Sequence, residues 1–136
     1  MATPTPLIAS LHVALGGAIG SVLRYQAGRW ITWTLGPQAV TMFPWATLAV
    51  NAVGSVLMGL LAGWLARFGP GNGEELRLLL GVGVLGGFTT FSAFSLEMML
   101  LIERGQAGLA LAYALLSVLA GLGALWLGLV ALRTFA

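Results

Sequence analysis

The sequence lacks cysteine altogether and is poor in charge, with only 7% of its 136 residues acidic or basic. Without cysteine the chain has no disulfide framework, no thiolate metal site and no cysteine nucleophile. About a quarter of the residues in a water-soluble domain are charged, so this composition excludes such a domain. The six Arg and four Glu are scattered along the chain, and no basic patch indicates a nucleic-acid partner.

The chain is instead rich in apolar residues: 59% are hydrophobic, and the mean hydropathy is +0.98. A membrane-spanning helix needs about 20 mostly apolar residues, and Pro37 and Pro44 interrupt the first charge-free run because proline cannot donate a helical hydrogen bond. We therefore expect an all-α membrane protein. It would be a single four-helix transmembrane domain over residues 1–136, with spans at about 7–33, 43–67, 75–103 and 106–133.

The segments between these spans are short. LGPQAVTM and FGPGNGE are predicted to be loops, and a tight turn is predicted near Arg104-Gly105. The N-terminus lacks the basic region of a cleaved signal peptide, so we expect Met1 to begin the mature protein. In this arrangement lipid surrounds most of the chain.

The arginines do not fix an orientation in the membrane. Cytoplasmic loops normally carry an excess of Lys and Arg, which sets the topology, but four spans put three arginines on each side. One side has Arg67, Arg77 and Arg133, and the other has Arg24, Arg29 and Arg104. Either too few charges exist for a count to decide, or the chain inserts in both orientations. In the second case two opposite copies pair about a two-fold axis in the membrane plane.

Polar side chains follow one face of the second and fourth spans. Thr47, Asn51 and Ser55 recur every four residues, and Tyr113 and Ser117 have the same spacing, which places each set on one side of a helix. Such a stripe serves either close packing with hydrogen bonds across helices or a polar path. Asn51 favours the polar path more than the hydroxyl residues do, because a carboxamide inside a membrane is costly unless its donors and acceptors are hydrogen-bonded.

Ionisable side chains inside the spans are few. Glu97 is the only acid well inside one, and intramembrane ionisable residues are expensive and functional by default. The alternative is a Glu that is hydrogen-bonded to a neighbouring helix or wetted near the interface. Arg24 either snorkels to the interface or anchors the mouth of a pore. His12 has neither a second His nor a nearby carboxylate, so we expect it to pack and not to bind a metal.

Residues 86–95, GGFTTFSAFS, occupy the middle of the third span, whose charge-free run is centred near residue 87. Two glycines followed by two β-branched threonines are a poor helix. If the helix unwinds at the glycines, the freed carbonyls must be buried or line a wet cavity, where they suit a cation such as Na⁺. The alternative is an intact helix in which Gly83 and Gly87 form a GxxxG contact face.

Phe91 and Phe94 are three residues apart and project to about the same side of the helix that follows. They are either core or lipid-facing aromatics, or their ring edges, which are positive, face a narrow path. Such edges would partly desolvate a small hydrated anion without trapping it, and hydroxyls such as those of Thr90 and Ser117 would donate the remaining hydrogen bonds.

The stretch GVGVLGGFTTFSAFSLE resembles the signature of the small CrcB/Fluc fluoride channels. The first span with GGAIGSVLRY, the second with VNAVGSVLMG and the fourth with Tyr113 and Ser117 are similar to that family as well. The resemblance covers the four spans in order. GGxTTFSxF together with N-x-x-G-S is specific, whereas GxxxG contacts alone would mean little.

The resemblance implies a dual-topology, antiparallel homodimer in the cell (inner) membrane that passes fluoride passively and selectively out of the cytoplasm. It implies two pores at the dimer interface and a structural, untransported Na⁺ where both third helices are broken near the bilayer midplane. The implied fluoride-pore residues are Phe91, Phe94, Asn51, Ser117, Thr90, Tyr113, Glu97 and Arg24. The implied Na⁺ ligands are the backbone carbonyls of Gly86 and Thr89.

The chain departs from the family pattern at Ala93, where Ser or Thr is usual, and at Gly121, where several members carry a hydroxyl. Each departure removes a hydroxyl from the expected polar track. No nucleophile–base pair or metal ligand set occurs, so we expect no enzyme. One alternative is a proton-coupled small multidrug-type transporter, which needs an essential carboxylate that the first span lacks. A structural membrane protein without transport is the other.

Overall fold

The computed structural model describes residues 4–69 and 71–135, and within these ranges the chain is helical apart from short connections and has no strand. Most of the chain lies in long helices, and the third of the predicted spans is divided into several pieces. The elements are α1 (Pro6–Leu35), α2 (Pro37–Met42), α3 (Trp45–Phe68), α4 (Gly73–Leu76), a π-helix (Arg77–Leu85), α5 (Gly86–Phe88), α6 (Phe91–Glu103) and α7 (Ala107–Phe135).

Four helical stretches are long and apolar enough to cross a membrane, in agreement with the predicted number of spans. They are Pro6–Leu35, Trp45–Phe68, Gly73–Glu103 and Ala107–Leu132. Large apolar side chains such as Leu15, Leu119 and Trp126 cover their outer surfaces. An apolar outer surface is stable in contact with lipid and unfavourable in contact with water. The structure and the composition therefore both indicate a multi-pass membrane protein.

The connection between the first two spans contains a helix, and the prediction of a loop over LGPQAVTM is therefore wrong. Gly36 ends α1 with φ 84°, a conformation that glycine adopts without steric cost. Pro37 then occupies the first position of α2, where its fixed φ favours a helix and its missing N–H costs nothing. The turn between α6 and α7 uses Gly105 in the same way, with φ 74°.

The third span changes its backbone geometry twice. From Arg77 to Leu85 it is a π-helix, in which the N–H of Gly86 still reaches back to the carbonyl of Gly81. Thr89 (φ −82°, ψ 161°) and Thr90 (φ −152°, ψ 127°) are then extended, and α6 begins at Phe91.

The prediction that the chain unwinds at Gly86-Gly87 is wrong in its position, because both glycines are helical and the two extended residues are the threonines. The physical reason lies in the threonine side chains. The Thr90 hydroxyl accepts a hydrogen bond from the N–H of Ala93 at 3.2 Å and so caps the first turn of α6. β-Branched residues also favour extended backbone over helix.

The two glycines serve helix packing instead. A Cβ added to Gly87 would lie 2.6 Å from the carbonyl oxygen of Gly17 on α1, and one added to Gly83 would lie 2.8 Å from the Cα of Gly16. Small residues of this kind let helix backbones approach closely inside a membrane. The GxxxG contact face therefore exists, and it packs against α1.

Candidate functional site

Asn51, on α3, pairs with the backbone of the extended segment. Its Nδ2 donates to the carbonyl of Thr90 at 3.0 Å, and its Oδ1 accepts from the N–H of Thr90 at 2.8 Å. A continuous α-helix would satisfy both groups within itself. The side-chain amide of Asn51 therefore takes the place of the helical partners that the N–H and the carbonyl of Thr90 lose. The amide still has one N–H and one acceptor site for a further hydrogen bond.

Thr89, the other extended residue, contacts α1 and α3. Its carbonyl accepts a long hydrogen bond, 3.4 Å, from Nη1 of Arg24 on α1, and its hydroxyl donates to the carbonyl of Leu85 at 2.8 Å. Gly54 lies directly beneath it, since a Cβ at that position would collide with the methyl group of Thr89. The small residue on α3 thus brings Asn51, one turn away, within reach of Thr90.

A cavity of about 280 Å³ opens beside this segment. We call it the Asn51 cavity, and its lining residues are Asn51, Gly54, Ser55, Met58, Thr89, Thr90, Phe91 and Leu125. Phe91 is 79% exposed, which is high for a phenylalanine within a folded chain. Its ring therefore projects into an open space that also holds the Asn51 amide.

Aromatic rings lead away from the Asn51 cavity towards Glu97. The centroids of Phe91 and Phe94 are 5.6 Å apart with the rings tilted by 40°, and those of Phe94 and Tyr113 are 5.1 Å apart at 52°. Tilted rings at these distances present edges as well as faces to their neighbours. The row Phe91–Phe94–Tyr113 brings α6 and α7 together and ends at a carboxylate.

Glu97 uses both of its carboxylate oxygens. Oε1 accepts from the hydroxyl of Thr47 on α3 at 2.7 Å, and Oε2 accepts from the hydroxyl of Tyr113 on α7 at 2.7 Å. Tyr113 is fully buried and Thr47 is 9% exposed. The acid is therefore hydrogen-bonded to two neighbouring helices, as one of the two interpretations of the sequence expected, and these bonds offset the cost of partly burying the carboxylate.

A second cavity, of about 250 Å³, lies on the other side of Glu97. We call it the Glu97 cavity, and its lining residues are Val40, Thr41, Pro44, Ala46, Glu97, Leu100, Leu101 and Arg104. The first cavity therefore meets the aromatic row at Phe91, and the second is lined by Glu97, the residue to which Tyr113 donates. In each of them a few polar groups are set among apolar walls.

Two further hydroxyls lie along α3 and α7. Ser55 donates to the carbonyl of Asn51 at 2.8 Å. The Oγ of Ser117, one turn after Tyr113, is buried and has no hydrogen-bond partner within residues 4–69 and 71–132. A Cβ added to Gly121 would lie 3.7 Å from the Oγ of Ser55, so a side chain at this position would contact Ser55.

A model of the CrcB family, described as "CrcB-like protein, Camphor Resistance (CrcB)", matches residues 11–129. The chain belongs to the CrcB family. The predicted family is therefore confirmed.

CrcB relatives of known name cover the chain almost from end to end. A protein of Erythrobacter litoralis named fluoride-specific ion channel FluC is 59% identical over 136 residues, 100% of both chains. One of the same name from Novosphingobium aromaticivorans is 62% identical over 127 residues, 93% of this chain and 98% of that protein. A third of that name, from Caulobacter vibrioides, is 50% identical over 123 residues, 90% of this chain and 94% of that protein.

The predicted CrcB pore residues fall into two neighbouring groups. Asn51, Thr90 and Phe91 line the Asn51 cavity. Phe94 packs on Tyr113, which donates a hydrogen bond to Glu97, so these three residues form the second group. Arg24 belongs to neither group and donates a long hydrogen bond to the carbonyl of Thr89. Ser117 lies one turn beyond Tyr113, with its hydroxyl buried.

The carbonyls predicted to bind Na⁺ are suited to a hard cation. In a continuous helix Gly86 would receive its hydrogen bond from the N–H of Thr90, but that N–H donates to Asn51 instead, so the Gly86 carbonyl loses its helical donor. Among the residues that the structure describes, the Thr89 carbonyl accepts only the long bond from Arg24. Carbonyl oxygens are the ligands that hard cations prefer, and the described ranges hold no cluster of three His, Cys, Asp or Glu that would offer a metal other ligands.

The sequence alone did not identify three residues that contact the Glu97 network or its cavity. Thr47 belongs to the predicted polar stripe of α3, and its i, i+4 spacing to Asn51 is a signal for the site, but the stripe does not predict Glu97 as its partner. Phe43 packs its ring on Tyr113 with centroids 5.3 Å apart, and Arg104 lines the Glu97 cavity. No local pattern marks the last two, because their partners are distant in the sequence.

Proposed function

We propose that this chain is the subunit of a fluoride-specific channel that lets fluoride leave the cytoplasm passively through the cell (inner) membrane and so limits fluoride toxicity. The observation that carries the proposal is the row Phe91–Phe94–Tyr113 between two small cavities. The choice of fluoride as the ion rests on the names of the CrcB relatives, which are called fluoride-specific ion channels. The proposed activity is transport without a chemical step.

The row is suited to a small anion for an electrostatic reason. Ring edges carry partial positive charge, so they attract an anion without the deep well of a fixed cation. Fluoride binds its water strongly, and the amide of Asn51 and the hydroxyls of Thr90 and Ser117 would replace part of that hydration. A channel must bind its ion firmly enough to admit it and weakly enough to release it, and sparse donors beside aromatic edges meet both conditions.

A second copy of the chain would complete the route. The exposure of Phe91 and the open side of the Asn51 cavity favour a partner surface there, because a conduction path through a membrane must be walled off from lipid. The equal arginine counts favour a partner inserted in the opposite orientation. We therefore propose an antiparallel homodimer with two pores at its interface.

A structural Na⁺ fits the same arrangement. The carbonyls of Gly86 and Thr89 from both copies would hold it near the bilayer midplane, where each third span has its extended residues. Bound there, the ion would offset part of the unfavourable field that an anion meets in a low dielectric. Asn51 prepares this site within one chain, since it removes the helical donor of Gly86.

The experiment that tests the proposal is fluoride efflux from liposomes. Vesicles loaded with potassium fluoride and carrying the purified protein should release fluoride when a K⁺ ionophore is added, while vesicles loaded with chloride stay tight. Phe91→Ile and Phe94→Ile should slow the release by about tenfold or more, because each variant removes a ring edge that stabilises the ion at the constriction. A tenfold slower release corresponds to a barrier that is higher by about 1.4 kcal/mol.

A matched control is Phe68→Ile. Phe68 is also an exposed aromatic at 52%, but it packs on Trp64 at the end of α3, away from both cavities. Full flux from both pore variants would refute the aromatic-edge mechanism. Flux that depends on a proton gradient would favour the small multidrug-type transporter, and absence of any flux would favour a structural protein.

A further inference from the structure

The connection between α2 and α3 covers the carboxylate network at Glu97. Phe43, in this connection, meets Tyr113 edge-on, with centroids 5.3 Å apart and an interplanar angle of 78°. Tyr113 is the residue whose hydroxyl donates to Glu97. Phe43 also packs against Trp45 at 4.6 Å. The position of the connection therefore affects the position of a side chain that holds the acid.

Arg104 ties α2 to the end of α6. Its Nη1 donates to the carbonyl of Thr41 at 3.1 Å, across 63 residues of sequence. Thr41 is in the last turn of α2, where helix carbonyls have no donor from the helix itself. A cation at a helix C-terminus is also favourable electrostatically, and a hydrogen bond from a charged donor is about twice as strong as a neutral one.

This bond joins opposite walls of the Glu97 cavity. Val40 and Thr41 line it from α2, whereas Glu97, Leu100 and Arg104 line it from α6 and the residue that follows. The distance between the two walls is therefore set in part by whether Arg104 reaches Thr41.

We propose that Arg104 is a positioning residue of the conduction route: it clamps α2 across the Glu97 cavity and keeps Phe43 seated on Tyr113. The role in conduction rests on the proposed function, whereas the clamp itself does not. Loss of the guanidinium should loosen α2, disturb the Tyr113–Glu97 contact and slow fluoride release while the spans stay folded.

The test uses the absence of cysteine in the native chain. Val40→Cys places one thiol on the α2 wall of the cavity and serves as the parent. Its rate of modification by a water-soluble thiol reagent is measured in liposomes, beside fluoride efflux, with Arg104→Ala and Arg104→Lys added in turn. The matched control is Arg67→Ala, because Arg67 makes the same kind of bond, 3.1 Å to the carbonyl of Leu132, at a different pair of helix ends.

We expect Arg104→Ala to raise the modification rate and to lower the efflux rate, each by about fivefold to tenfold, the factor that loss of one solvent-exposed hydrogen bond corresponds to. Arg104→Lys, which keeps a donor, should restore part of both, and Arg67→Ala should change neither. If Arg104→Ala does not purify as a single species, Arg104→Lys and Arg104→Gln must still show graded increases in modification.

Three results would overturn the proposal. One is an unchanged modification rate in Arg104→Ala, and another is faster modification with full efflux. The third is an equal effect from Arg67→Ala, which would indicate general loosening of the fold. If the native chain passes no fluoride, the proposed function fails, and the modification rates of the Val40→Cys series alone still decide whether Arg104 clamps α2.

Discussion

Replacement of Asn51 by alanine would remove both hydrogen bonds to Thr90, at 3.0 and 2.8 Å. An N–H and a carbonyl would then lack partners, and each such buried group costs about 1–3 kcal/mol. The expected destabilisation is therefore about 2–6 kcal/mol. The lower end applies if water enters the Asn51 cavity and bonds Thr90 in place of the amide, and the upper end applies if the cavity stays dry.

The assay is thermal unfolding in detergent, followed by the fluorescence of the chain's five Trp residues. A loss of about 2 kcal/mol should lower Tm by about 5 °C or more in a chain of this size. The matched control is Ser55→Ala, one turn further along the same face of α3. Within the described part of the chain the hydroxyl of Ser55 bonds only to a carbonyl of its own helix, so that variant should stay within about 0.5 kcal/mol of the native protein.

Equal Tm values for Asn51→Ala and Ser55→Ala would refute the reasoning, because they would mean that the amide does not hold the extended segment. A lower Tm for Asn51→Ala together with normal fluoride efflux would be informative in another way. It would show that Asn51 supports the backbone at Thr90 without contributing to the ion's path.

Two other predictions concern packing and the cation. Gly87→Ala should destabilise the fold by about 1–3 kcal/mol through overpacking, since its Cβ would lie 2.6 Å from the Gly17 carbonyl oxygen. Gly123→Ala, with nothing within 4 Å of the added Cβ, should be neutral or stabilising, and equal Tm values for the two would contradict this. Exchange of Na⁺ for choline in the buffer should lower Tm, and Tm should rise with Na⁺ concentration as expected for a ligand of the native state. A Tm that is independent of Na⁺ would exclude the cation at Gly86 and Thr89.

Much of the architecture was predictable because the membrane imposes its own rules. Each span must be long and apolar, so the charge-free runs located the four helices within a few residues. The loop over LGPQAVTM was mispredicted because Gly36 and Pro37 signal a break in α1 and say little about the six residues after it. The position of the extended segment was missed by three residues, because glycines that look like helix breakers are needed for contact with α1.

By itself the sequence determined the class of protein, the number of spans, the family and several of the side chains that line the Asn51 cavity. These properties depend on composition, on local spacing and on a recognisable signature. Only the tertiary structure decided what those side chains do to one another: Asn51 satisfies the backbone of Thr90, Thr47 and Tyr113 hold Glu97, and Arg104 reaches α2. Each of these contacts joins residues far apart in the chain, and their energies depend on distances that helix packing sets and local sequence does not encode.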